Sequence, residues 1–165
     1  MRSLYDFIVE PVGDAYENEI EIENVKIILN TKIESFKFVN NVAKVIQVPL
    51  AFKTKINVGD IVYVHHNVFR RFYNIKGIEK NSGTYFKDNM YFVTPEQIYM
   101  YNLKPHLNYC FIKPIKNQRL LENRKEQPNV GIVKYTNNAL EAIGITPETL
   151  ITFTPNSEFE FIIEG

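Results

Sequence analysis

The chain has 165 residues, enough for one ordinary domain or two very small ones. Its 19 basic and 19 acidic residues cancel, which excludes the basic excess of a dedicated duplex-DNA binder. Apolar residues at 45% can bury a core, and a single cysteine excludes an internal disulfide framework or a paired-cysteine metal knuckle. In chain order, the N-terminal MRSLYDFIVEPVGD holds no long apolar stretch, so no signal peptide is expected. No later run approaches the ~20 residues of a membrane span. A soluble, cytoplasmic chain with no membrane partner is the expectation.

Short β-branched and aromatic runs bounded by Gly, Pro, Asn and Asp predict strands at 4–12, 36–48, 60–66, 68–75 and 84–93. Further strands are predicted at 107–115, 130–135, 149–154 and 158–163. A helical turn is predicted over 94–99, with Thr94 as the cap, Pro95 at the first helical position and Glu96 after it. A second short one is predicted near 138–143. Many short strands with little helix define an all-β protein, a barrel or a sandwich. Cys110 falls in one of these strands and reads as a half-buried structural residue.

Candidate chemistry is sparse. His65 and His66 are adjacent, and neighbouring strand residues point to opposite faces, so the two cannot both ligate one ion from a regular strand. No carboxylate or third histidine stands at sensible spacing, and His106 is distant. No metal site is therefore assigned. Val62 and Val64 are expected to face the core, with Tyr63 and His65 opposite. No nucleophile elbow, P-loop or HExxH is present, and Glu158 and Glu160 read as a solvated strand face. No catalytic residue and no cofactor is assigned. Phe69, Arg70, Arg71, Phe72, Tyr73 and Lys76 interleave aromatic and basic groups, as a barrel that stacks single-stranded bases would. Alternation splits Phe69 and Arg71 from Arg70 and Phe72, so an amphipathic strand with solvated arginines is preferred and no nucleic-acid partner is expected.

Three segments recur in a telling order: LYDFIVEP at 4–11, VGDIVYV at 58–64 and MYFVTPEQIYMY at 90–101. This set resembles the GroES co-chaperonin family over about residues 3–101. A weak internal repeat accompanies it. YDFIVEPV (5–12) is echoed by YCFIKPI (109–115), NVAKVIQV (41–48) by NVGIVKYT (129–136), and VGDIVYV by TPETLITFT (146–154). The resemblance implies a GroES-like β-barrel over 1–103 and a smaller, degenerate β-barrel-like unit over 104–165. The second unit is incomplete or cut short, because a further strand of the TPEQIYMY type is expected after FEFIIEG.

Family members dock a chaperonin through a mobile loop that follows the first strand and carries an apolar tripeptide. The matching region, at about 13–35, is GDAYENEIEIENVKIILNTKIES. Its candidate chaperonin-binding residues are Ile27, Ile28 and Leu29, flanked by Val25 and Asn30. The family's loop is glycine-rich and this one holds only Gly13, while the alternation in EIEIENVKI allows a β-hairpin. Burying each large aliphatic is worth about 1.5–3 kcal/mol. Ordering the loop costs about 1–2 kcal/mol per residue. One loop binds weakly, and several on a ring bind tightly together. The resemblance thus implies a homo-oligomeric ring of seven, a GroEL-like chaperonin as partner, an unfolded protein as client, and nucleotide hydrolysis left to the partner. It also implies that the first strand and the TPEQIYMY segment pair across the subunit interface. The roof segment VPLAFKTKIN (48–57) is short and lacks glycine, which resembles phage-encoded co-chaperonins and places the chain in a host's cytoplasm. Residues 68–87 are an insertion, expected as a hairpin around Asn81-Ser82-Gly83. A virion structural or decoration β-protein is the alternative function, and a single-stranded nucleic-acid-binding barrel is a weaker one.

Overall fold

The computed structural model describes residues 3–16, 19–22, 25–28, 39–116, 126–155, 157 and 159–163. They fall into two compact units, Met1–His106 and Leu107–Gly165. No helix among the described residues is long and apolar enough to cross a membrane.

The first unit is built on one antiparallel seven-stranded sheet. Interior to it is β1 (Phe7–Pro11), where Phe7, Ile8 and Val9 are all buried, as befits a strand covered on both faces. The two-stranded β2 (Glu19–Ile22) and β3 (Val25–Ile28) follow as a sheet of their own. β4 (Val42–Gln47) buries Ala43 and Val45 and exposes Lys44 between them, the period-two pattern of a half-covered strand. β5 (Ile61–Val64) buries Val62 and Val64 completely and leaves Tyr63 partly exposed, as the sequence predicts. β6 (Arg71–Tyr73) and β7 (Glu79–Asn81) form a second separate ribbon. β8 (Tyr85–Lys87), β9 (Met90–Val93), β10 (Ile98–Tyr101) and β11 (Lys104–Pro105) complete the unit. The hydrogen-bonded order of the large sheet is β11-β10-β5-β4-β1-β9-β8. The all-β class holds, and no pairing among the described residues joins edge β11 to edge β8.

Three local differences from the sequence pattern have clear causes. The strand predicted over 84–93 is two strands, because Asp88 and Asn89 both take left-handed backbone (φ 47° and 59°) and reverse the chain. Such a two-residue turn matches the twist of the strands that it joins. The inserted hairpin turns at Asn74–Ile78, not at 81–83. The Asn74 side chain accepts from the backbone N–H groups of Lys76 and Ile78, both at 2.9 Å, and Gly77 supplies the positive φ. Residues 81–83 are instead a corner, where the hydroxyls of Ser82 and Thr84 both donate to the Val68 carbonyl at 2.7 Å. Thirdly, the predicted helical turn is a single 3-10 turn over Pro95–Gln97, in which the Gln97 side chain accepts from the Thr94 N–H at 3.1 Å.

Within the chain, β1 pairs with β4 on one edge and, over Phe7–Val9, with β9 on the other, while β10 pairs with β5 and, at Met100 and Tyr101, with β11. Among the described residues the edge strands of the large sheet are β8 and β11.

In the second unit, β12 (Phe111–Lys116), β13 (Glu126–Tyr135) and β14 (Leu150–Thr152) make a three-stranded antiparallel meander. Between β13 and β14 lies α1 (Asn138–Glu141), capped by Asn137, whose side-chain oxygen accepts from the N–H groups of Ala139 and Leu140. Val133 and Leu140 are its buried anchors. The strand predicted at 158–163 does not form among the residues described there, and Phe161 packs its ring against Phe111 at 5.7 Å.

Candidate functional site

The loop between β1 and β4 leaves the sheet through a closed neck. Asn40 is its fastener: Nδ2 donates to the carbonyls of Val12 and Asp14 at 2.8 and 2.9 Å, while Oδ1 accepts from the Val42 N–H at 2.8 Å. The Asn40 N–H donates to the Ala15 carbonyl, and Tyr16 bridges to Val39. Ala15, Tyr16 and Val39 belong to the buried core of the unit. The segment between Tyr16 and Val39 is therefore hung from a fixed point.

Within that segment β2 and β3 pair antiparallel, Glu19 with Ile28, Ile20 with Ile27, Glu21 with Lys26 and Ile22 with Val25. Only residues 23 and 24 separate the last pair. The period-two alternation of EIEI and the β-branched content of VKII suit this ribbon. Of the candidate docking residues, Val25, Ile27 and Ile28 stand in β3, whereas Leu29 and Asn30 lie outside the described residues.

Sequence reasoning missed the contact that braces this neck. The Arg71 N–H donates to the Tyr16 hydroxyl oxygen, and the Arg71 guanidinium lies 5.3 Å from the centre of the Tyr16 ring. Arg71 also pairs with Glu79 across the β6–β7 ribbon at 3.0 Å. Burial pushes the Tyr16 phenol above its ordinary value, opposed by the Arg71 backbone hydrogen bond and charge, so the hydroxyl stays protonated. The root of the loop and the root of the inserted ribbon are thus one joint. The only sequence signal was a lone aromatic in an acidic stretch.

The remaining candidates are dispersed. Phe69 is fully buried, edge-to-face on Tyr91 at 4.9 Å, so it cannot offer a stacking surface to a base. Phe72, Tyr73 and Ile78 are exposed, and Ile75 at the ribbon's turn is wholly so. The two histidines do not sit on opposite faces: β5 ends at Val64, strand alternation stops there, and the rings stack with centroids 4.2 Å apart. His65 Nδ1 accepts from the Asn67 N–H at 3.0 Å. Burial lowers the pKa of both, and for His66 the neighbouring charges of His65 and Arg70 add to it. His106 is buried and donates from Nδ1 to the Ile98 carbonyl at 3.2 Å. Among the described residues no three His, Cys, Asp or Glu side chains gather as a metal site would need. Cys110 is half-buried and its thiol is pushed up by burial, away from reactive thiolate character.

No family model matches the chain, and neither a curated protein nor a solved structure matches it.

Proposed function

We propose that the chain is a co-chaperonin that caps a GroEL-like chaperonin, docks through the loop carrying β2 and β3, and encloses an unfolded client, viral clients among them. The observation that supports this best is the hairpin itself. It is an aliphatic-rich ribbon, separate from the large sheet, hung between β1 and β4 from a neck buried in the core. The three motifs quoted above, in their order, support it from the sequence side. A single ribbon grips weakly, and a ring of seven such chains multiplies the contact through effective concentration. Hydrolysis of nucleotide belongs to the partner, and the working compartment is the cytoplasm.

The test is capture on an immobilised GroEL-type chaperonin with nucleotide, comparing wild type with the double variant Ile27→Asp/Ile28→Asp. Retention of wild type and loss of the variant is the expected result. Equal capture of the two refutes the docking loop.

A further inference from the structure

We propose that the tip of the inserted β6–β7 ribbon docks on an anionic lipid surface, with Ile75 and Ile78 entering the interface and Lys76 and Lys80 meeting acidic headgroups. This goes beyond the docking function above and does not depend on it. It departs from the expectation of no membrane partner, which rested on the lack of a spanning run; interfacial docking needs none. The ribbon grows out of a core in which Val68 and Phe69 are fully buried. Beyond them the burial reverses. Phe72, Tyr73, Ile75 and Ile78 are exposed, and Ile75 wholly so. Large apolar side chains are thus left to water at the end of a ribbon, where exposed apolar groups in one place mark a contact surface.

Three observations favour lipid as the occupant. The first is placement. Phe72 pairs with Lys80 and Tyr73 with Glu79, so the two aromatics lie on opposite faces of the ribbon. A protein groove or a stack of bases covers one face, whereas a fluid interface entered tip first surrounds both. At about 3.3 Å per residue, Phe72 lies roughly 10 Å behind Ile75, close to the ~5–10 Å to which interfacial segments sink. Tyr73 then stands near the headgroups, where amphipathic rings are favoured. The second is charge. The whole chain balances 19 basic against 19 acidic residues, but between Arg70 and Asn81 four basic residues meet one acid. That acid, Glu79, is paired with Arg71 at 3.0 Å, which blunts its repulsion of an acidic headgroup. Lys76 and Lys80 are exposed, and their stems can lie along apolar surface while the ammonium groups reach the headgroups. The third is the backbone. Polar backbone groups without a partner are costly in an apolar medium. Here Asn74 Oδ1 accepts from the N–H groups of Lys76 and Ile78, both at 2.9 Å. The Asn74 carbonyl accepts from the Gly77 N–H at 2.9 Å, and the Ile78 carbonyl from the Asn74 N–H at 3.0 Å. The turn carries these hydrogen bonds with it wherever it enters.

The chain holds no tryptophan, so Ile75→Trp sets a single indole at the tip. Its emission is expected to shift to the blue when vesicles of phosphatidylcholine with phosphatidylserine are added to the full-length chain. In co-sedimentation wild type is expected to pellet with those vesicles, and Ile75→Asp to lose at least about tenfold in partitioning. Lys76→Glu/Lys80→Glu is expected to lose the part of the binding that salt removes from wild type. All three positions are exposed, so an unchanged urea midpoint shows that the variants are folded. Wild type that stays in the supernatant with these vesicles overturns the proposal, as does Ile75→Asp pelleting as well as wild type. Retention on a single-stranded oligonucleotide without vesicle binding makes the ribbon a nucleic-acid surface. Self-association that Ile75→Asp abolishes, again without vesicle binding, makes it a contact between copies. Either result also overturns the proposal.

Discussion

Tyr16→Phe tests whether the loop's neck is braced by the inserted ribbon. The change removes one hydroxyl and keeps the ring, which is only 6% exposed, together with the guanidinium above it. What is lost is the acceptor for the Arg71 N–H. Leaving a buried donor without a partner costs about 1–3 kcal/mol, and a partly buried site belongs at the lower end of that range. A loss of about 1 kcal/mol raises the population of the opened neck about fivefold. Hydrogen exchange at the Arg71 amide should accelerate by that factor, and the Asn40 amide, which closes the same neck on Ala15, should follow it in part. Tyr16→Ala should cost about 3–5 kcal/mol, as full truncation of a buried aromatic does. The urea slope should stay constant for Tyr16→Phe, since no extra surface is exposed in either state. An Arg71 amide that exchanges equally fast in wild type and Tyr16→Phe would refute the brace.

Two further predictions concern other parts of the chain. A Cβ at Gly131 would lie 2.6 Å from Ile112 Cδ1 and 3.0 Å from Ile112 Cβ, so Gly131→Ala should destabilise the second unit by about 1 kcal/mol net of the backbone gain. Adding Ile112→Ala should relieve that clash, and an uncoupled pair of urea midpoints would argue against it. Burial holds His65, His66 and His106 below the ordinary imidazole value of 6.5, so the unfolded chain binds protons that the folded chain refuses. Their contribution is fully present above pH 6.5 and is lost as pH falls toward the folded values. The urea midpoint should drop between about pH 7.5 and about pH 5.5, less so in His106→Gln, and a flat profile would contradict the burial account.

The parts of the fold legible in the sequence are those that core burial dictates. β1, β4, β5 and β9 announce themselves because Phe7, Val9, Val45, Val62, Val64 and Val93 must leave water, and in β4 and β5 alternation exposes the residues between the buried ones. The turns were harder. The reversal at Asp88–Asn89 contains no glycine, although Asn and Asp tolerate left-handed backbone better than most residues. At the inserted hairpin two glycine signals competed, and Gly77 prevailed over Gly83 because Asn74 folds its own side chain over the following backbone. The neck contact was not legible at all. Tyr16 and Arg71 are 55 residues apart, and no local pattern encodes which backbone N–H a buried hydroxyl meets.

The candidate site shows the same division more sharply. Composition alone gives a loop with five glutamates and a handful of aliphatics, and a linear reading places the expected docking residues at the one place where three aliphatics are consecutive. A ribbon is read across its ladder, and there the side-chain period of two makes adjacent residues strangers and opposed residues neighbours. The pairing of Ile22 with Val25 across residues 23 and 24 fixes the register.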